Sequence, residues 1–232
     1  MNAGPRHRFT VSGKLVHNCG FQGAVGAFGS MAKLYGINLE EDRILEIVRA
    51  WRSANANIAK FWYALEDAAT DAVRNPGVTH TCRMLKLRRD GQWLRIRLPS
   101  GRVLCYPAPR WEQKRVLNET TGEWEDNPTG GLSYMGMHQY TRAWTRIRTF
   151  GGRLTENVVQ AIARDVFAEG LKRCEAAGYP VVLHIHDEAI CETPDTVDYT
   201  GEEVAELLAT NPPWAEGLPL AAEGSEVKRY RK

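Results

Sequence analysis

Apolar positions recur every three or four residues over three stretches of the chain and collect in short runs elsewhere, a pattern that predicts a mixed α/β protein. From Gly23 onward, Val25, Phe28, Met31, Ala32 and Tyr35 share one helical face, and Gly36 is placed to end that helix. The acid-rich stretch LEEDR (39–43) then opens a longer helical region running to about Val73. Its inner stripe is Ile44, Ile47, Val48, Trp51, Ile58, Phe61, Trp62 and Leu65, and Asn55-Ala56-Asn57 is expected to kink or break it. A third helix is expected from about Thr155 to Ala177, with Val158, Val159, Ile162, Val166 and Leu171 inward and Gly178-Tyr179-Pro180 as its stop. A shorter helix fits 201–209.

Period-two and clustered patterns supply the strands. Residues 7–16 read as two short strands around Ser12-Gly13, and 82–107 as strands punctuated by the hairpin signals Asp90-Gly91 and Ser100-Gly101. Residues 108–131, with prolines, glycines and charges, read as a surface loop. VVLHI (181–185) and AICET (189–193) read as two apolar strands joined at His186-Asp187-Glu188. There is no internal repeat and no low-complexity segment.

Composition narrows the class. Of the 232 residues, 43% are hydrophobic and 25% charged, as in globular proteins with a core. No apolar run approaches the ~20 residues that span a bilayer, so no membrane partner is expected. The opening MNAGPRHRF is followed by no apolar signal core, which argues against export. Five dispersed cysteines without a CxxC pair read as a reduced, cytoplasmic protein lacking a structural zinc. The net charge of +2 is uninformative, but its distribution is not. Between Tyr134 and Arg153 stand Arg142, Arg146, Arg148 and Arg153, no acid, and the aromatics Tyr134, Tyr140, Trp144 and Phe150; Arg83 to Arg102 is basic as well. Interleaved cations and aromatics suit phosphate contacts and base stacking, and a solvated basic face is the plainer alternative.

The acidic tip at 186–188 offers the clearest chemistry. Most such pairs are solvated turn residues. Here two strongly apolar strands flank it, and a hairpin buried on both sides would hold Asp187 and Glu188 rigidly where they could take hard divalent cations. His184 and His186 alternate with Ile185, so that with Asp187 they could instead form a zinc-type hydrolase site.

LHIHDEAIC resembles the last active-site motif of family A DNA polymerases, and further segments follow in that family's order. GFQGAVGAFGSMAKLYGI is similar to the second half of the fingers helix, SGRVLCYP to a Gly-Arg-x-Leu strand, and ENVVQAIARDVFAEGL to a palm helix. Together with YMGMHQYTRAWTRIRTFGG these are closest to phage-type members, and the resemblance covers nearly all of 19–232. It implies a fingers portion (19–75) and palm elements (76–232), with helices packed on a small antiparallel sheet. It further implies two-metal nucleotidyl transfer with Mg2+, primer-template DNA and deoxynucleoside triphosphates as partners. On matched positions Asp187 would bind metal, Glu188 would assist from the outer shell, and His186 would support the primer terminus. Gln160 would read minor-groove acceptors, Arg153 a backbone phosphate, and Phe21 would pack near the nascent pair in place of the usual tyrosine. The family's upstream Asp motif, its triphosphate-binding Arg and Lys and a proofreading domain have no counterpart here, so the chain is expected to be inactive alone. The rival readings are the nuclease or hydrolase built on His184, His186 and Asp187, and an inert gene fragment.

Residues 7–19, HRFTVSGKLVHNC, resemble the C-terminal end of an intein, and they interrupt the fingers motif directly before Cys19. The resemblance implies that 1–18 is an intein remnant needing an upstream polymerase and intein fragment. Cys19 would attack an upstream thioester, and the Asn18 side-chain amide would cyclise and break the 18–19 bond. His17 would polarise that carbonyl, and His7 would assist as acid–base.

Overall fold

The computed structural model describes residues 9–11, 14–16, 22–23, 25–34, 36–117 and 124–229. The chain divides into two compact units, Met1–Leu98 with Val103–Val158, and Pro99–Arg102 with Val159–Lys232.

The first unit begins with a small antiparallel pair, β1 (Phe9–Val11) and β2 (Lys14–Val16), with Phe9 opposite Val16, as the sequence suggests. Three helices follow: α1 (Val25–Leu34), α2 (Glu41–Ala54) and α3 (Ala56–Arg74). Gly36, at φ +69°, terminates α1: its N–H bonds the Lys33 carbonyl and that of Ile37 reaches back to Ala32, both at 2.9 Å. The break expected near Asn55 is present. The Asn55 amide Nδ2 and backbone N–H both donate to the Trp51 carbonyl at 2.9 Å, closing α2, and the Asn55 carbonyl accepts from Ile58 and Ala59 to start α3. The break turns Trp51 onto Trp62, with ring planes 4° apart and centroids at 5.8 Å, over Phe28, Ile44, Ile47 and Val48. Ile58 departs from its expected inner stripe. It lies in the first turn after the break, where the helical phase restarts, and is exposed.

A four-stranded antiparallel sheet follows in simple order: β3 (Thr79–Cys82), β4 (Leu85–Asp90), β5 (Trp93–Arg97) and β6 (Val103–Pro107). Its alternation is strict. Leu85, Leu87, Leu94 and Ile96 are buried on one face, which with α3 (Trp62, Leu65, Ala69, Ala72) makes the core, while the alternate residues point outward.

Where a surface loop is expected at 108–131, the structure has a long ribbon instead. β7 (Arg110–Leu117) and β8 (Trp124–Met137) pair antiparallel and continue into β9 (Trp144–Thr149) as a three-stranded sheet. Pro128 and Gly130 are accommodated because the register slips there: Lys114 faces Asn127 whereas Glu112 faces Gly131. A proline, having no N–H to give, fits such an irregularity without costing a ladder bond. Instead of one small sheet, then, the described residues form four antiparallel sheets of two, four, three and two strands.

α4 (Gly151–Ala176) starts one turn earlier than its apolar period indicates and runs from the first unit into the second. Its first turn is held from outside the helix: Gly151 N–H donates to Glu66 Oε2 at 2.9 Å, and Gly152 N–H to Gln22 Oε1 at 2.8 Å. Both contacts satisfy helix-terminal donors, and the carboxylate also suits the positive end of the dipole. A Cβ on Gly151 would stand 2.0 Å from the Trp62 carbonyl oxygen, so only glycine permits this approach. Leu154 and Val158 are buried here, while Val159, expected to face inward, is exposed.

In the second unit α4 ends at Gly178 (φ +87°) in the manner of α1, the Tyr179 N–H bonding the Cys174 carbonyl. β10 (Val181–Ile185) and β11 (Glu188–Cys191) form a hairpin, and α5 (Gly201–Ala209) follows. The Tyr179 hydroxyl joins the start of α5 by accepting from Thr200 N–H (3.1 Å) and donating to Glu203 (2.6 Å), while Thr200 Oγ1 caps Glu203 N–H. At the other end of α5, Arg173 donates to the Leu207 and Thr210 carbonyls.

Candidate catalytic hairpin and nucleic-acid interface

The tip of the β10–β11 hairpin is the two-residue turn His186-Asp187, closed by the Ile185–Glu188 pair. His186 sits at φ +55°, in the left-handed region that hairpin turns require and that glycine or asparagine fills more cheaply. Asp187 is exposed, and Glu188, already in the strand, is half-buried. The expectation that both faces of this hairpin are buried is not met. Val182 and Leu183 are exposed, because β10–β11 is a two-stranded sheet with no further strand beside it among the described residues.

The hairpin is held against α4. His184 presents its ring to the edge of Phe167 (centroids 6.1 Å, 79° between planes), and the Arg164 guanidinium lies 5.6 Å from the same Phe167 ring. Gln160, Arg164 and Phe167 are spaced four and three apart and share one helix face, so Gln160, which is exposed, lies on the face that carries the His184 contact. Further along, Cys191 of β11 and the buried Cys174 of α4 bring their thiols together. Burial, then the adjacent Cys174 thiol, pushes Cys191 up to about 11; burial also raises Cys174, against the opposing pull of Arg173. Both stay protonated at neutral pH and act as apolar packing.

The Gly-Arg-x-Leu segment reaches the same helix. Arg102 Nε pairs with Asp165 at 2.6 Å and its Nη2 donates to the Ala161 carbonyl at 2.7 Å, while Ser100 Oγ donates to Asp165 Oδ2 at 2.5 Å. Asp165 is largely shielded, so this charge-assisted cluster fixes the segment to α4. Neither Arg164 and Phe167 nor the Arg102–Asp165 pair stands out in the sequence. Counting four and seven residues on from Gln160 would have found the first two.

The arginine-aromatic stretch divides. Arg146 is structural, donating to the Ala108 carbonyl and to Ser133 Oγ, and Tyr134 packs edge-on against Tyr106 at 4.9 Å. Tyr140, Arg142, Trp144, Arg148, Phe150 and Arg153 remain exposed. Arg153 donates to the Arg148 carbonyl and lies 5.8 Å from the Phe150 ring centroid, which orients its guanidinium without burying it. His7, His17, Asn18, Cys19 and Phe21 lie outside the described residues.

Among the described residues no group of three or more His, Cys, Asp or Glu side chains could hold a metal ion. His184, His186 and Asp187 therefore do not make the zinc-type site that their spacing allows; His184 turns to Phe167 instead. One exposed carboxylate with a second beside it does fit Mg2+, which keeps most of its water and takes one or two carboxylates together with substrate phosphates. No described helix is long and apolar enough to cross a membrane.

The chain is 38% identical over 213 residues, 92% of its length, to a protein named DNA polymerase from Bacillus phage SP02. It spans 31% of that relative's length. No family model matches the chain, and no solved structure matches it.

Proposed function

We propose that this chain is part of a template-directed DNA polymerase and contributes its carboxylate hairpin and primer-template helix. The observation that carries the reading is the 38% identity to the phage SP02 DNA polymerase across 92% of the chain. The exposed Asp187 at a braced hairpin tip agrees with it. In this reading the primer 3′-hydroxyl attacks the α-phosphate of a deoxynucleoside triphosphate and pyrophosphate leaves. Asp187 would hold Mg2+, with Glu188 tuning its surroundings, together with a further carboxylate from a polymerase segment outside this chain. Mg2+, when bound, would supply charge stabilisation for the phosphoryl transfer. His186 steadies the primer terminus, Gln160 donates to minor-groove acceptors shared by all correct pairs, and Arg153 meets a backbone phosphate. Phe21 packs near the nascent pair.

The test is primer extension by the chain joined to a polymerase segment that carries the other carboxylate. Asp187→Ala should cut nucleotide addition by about a thousandfold or more, since a lost ligand removes several kcal/mol of transition-state stabilisation. DNA binding should persist. Extension by Asp187→Ala at near the parent rate would sink the mechanism. Glu188→Gln should cost less, within about 10–100-fold.

The same reading extends to residues 1–18 as an intein remnant, supported by the antiparallel β1–β2 pair that leads into His17-Asn18-Cys19. With the complementary intein piece, Asn18 cyclises to a succinimide and frees the Cys19 amine, His17 assisting at the carbonyl and His7 as acid–base. Mass spectrometry should find the 1–18 peptide released, and Asn18→Ala should retain it.

A further inference from the structure

We propose that the outer face of the four-stranded sheet is a second docking surface for the DNA sugar–phosphate backbone, with Lys86, Arg88, Arg95 and Arg97 meeting phosphates and Trp93 at its margin. The choice of DNA as occupant rests on the polymerase reading; the surface itself rests on the register of β4 and β5. Lys86 stands directly opposite Arg97, and Arg88 opposite Arg95, so two cation–cation pairs sit side by side on the face turned away from the core. Their Cβ atoms outline a block about 5 Å across the strands and about 6.7 Å along them.

Like charges directly opposite each other destabilise a sheet, so this arrangement works against the fold. The neighbouring strands do not relieve it. On β3 the residues opposite Arg88 and Lys86 are Thr79 and Thr81, and on β6 those opposite Arg95 and Arg97 are Cys105 and Val103. Asp90 is the only acid on this face of the sheet, and it pairs with Arg88 at 2.6 Å and Arg95 at 3.6 Å. Among the described residues no ion pair reaches Lys86 or Arg97. Surfaces that serve only solubility intersperse both signs. Four cations against the single carboxylate of Asp90 leave this face strongly positive, with Lys86 and Arg97 as its unpaired pair among the described residues. Such a block concentrates positive potential and fits a regularly spaced row of anions. Trp93, 41% exposed on the same face, offers a ring to a sugar or an unpaired base. The neighbouring Arg89 marks the contrast: its side chain turns away to the Val73 carbonyl at 3.0 Å and serves the fold.

The experiment replaces Lys86, Arg95 and Arg97 together by threonine, a good strand former, in the full chain. Thermal melting and binding of a primer-template duplex across a salt series are then measured for variant and parent. The variant should melt at the parent temperature or above it, because the opposed charges are gone. Its slope of log affinity against log salt should become shallower by about 2–3, since each phosphate contact contributes about 0.9. An unchanged slope in a folded variant would overturn this surface while leaving the polymerase reading intact. A parent chain that binds no DNA would overturn both. Polyglutamate binding as tightly as DNA of equal charge, and lost together with it in the variant, would reject DNA as the occupant.

Discussion

The four-stranded sheet and the β10–β11 hairpin are built from strands of opposite character, and the more apolar one is the less buried. β4 and β5 alternate leucine or isoleucine with arginine or lysine, and Leu85, Leu87, Leu94 and Ile96 are at most 2% exposed. β10 reads Val-Val-Leu-His-Ile without alternation, yet Val182 is 56% and Leu183 48% exposed. Alternation encodes one buried face, and the helix that covers it, α3, lies just before the sheet in sequence. A continuous apolar run encodes cover on both faces, and two strands alone cannot provide it.

Truncation should expose this difference most strongly. Leu94→Ala or Ile96→Ala should cost about 2–5 kcal/mol, because the deleted atoms leave a cavity under α3. Leu183→Ala should change stability by less than about 1 kcal/mol, since its side chain is already in water. Denaturant melts of the three variants check this, and equal losses would break the comparison.

Alkaline pH separates the regions in a second way. Burial, only partly offset by the amide that Asn157 donates to it, pushes the Tyr106 hydroxyl up to about 12 from 10.0. The native state thus keeps a proton that the unfolded chain loses. Its contribution is complete below pH 10 and disappears as pH rises toward 12, a loss of roughly 2–3 kcal/mol. Cys191, raised from 9.0 to about 11, acts in the same direction but earlier, between pH 9 and 11. Melting temperature followed against pH should fall through both windows, and Tyr106→Phe should remove the upper one. The smallest effect is chemical: at neutral pH an alkylating reagent should modify the exposed Cys105 well before Cys82, Cys174 or Cys191.

Much of the architecture was legible because its signals are local. Gly36 and Gly178 end helices where a left-handed residue is needed, Asn55 breaks the long helical region, and His186-Asp187 turns the hairpin. The β7–β8 ribbon was not legible, since its pairing joins residues up to 23 apart, as Arg110 with Ser133, and its proline and glycines mimic a loop. At the candidate site the carboxylates and Gln160 could be read from sequence. Their bracing by Phe167, Arg164 and the Arg102–Asp165 pair depends on packing between segments that no local pattern records.

The close approach at Gly151 has a consequence for variation. A saturation library across the glycines should divide sharply. Gly26, with open space where a Cβ would stand, should accept many residues, whereas Gly151 should accept none, since a carbon in place of its second α-hydrogen would collide with the Trp62 carbonyl. Recombination between related genes would meet the same barrier. A crossover between residues 62 and 151 would join a helix and a glycine selected apart, and such chimaeras should be the ones lost first.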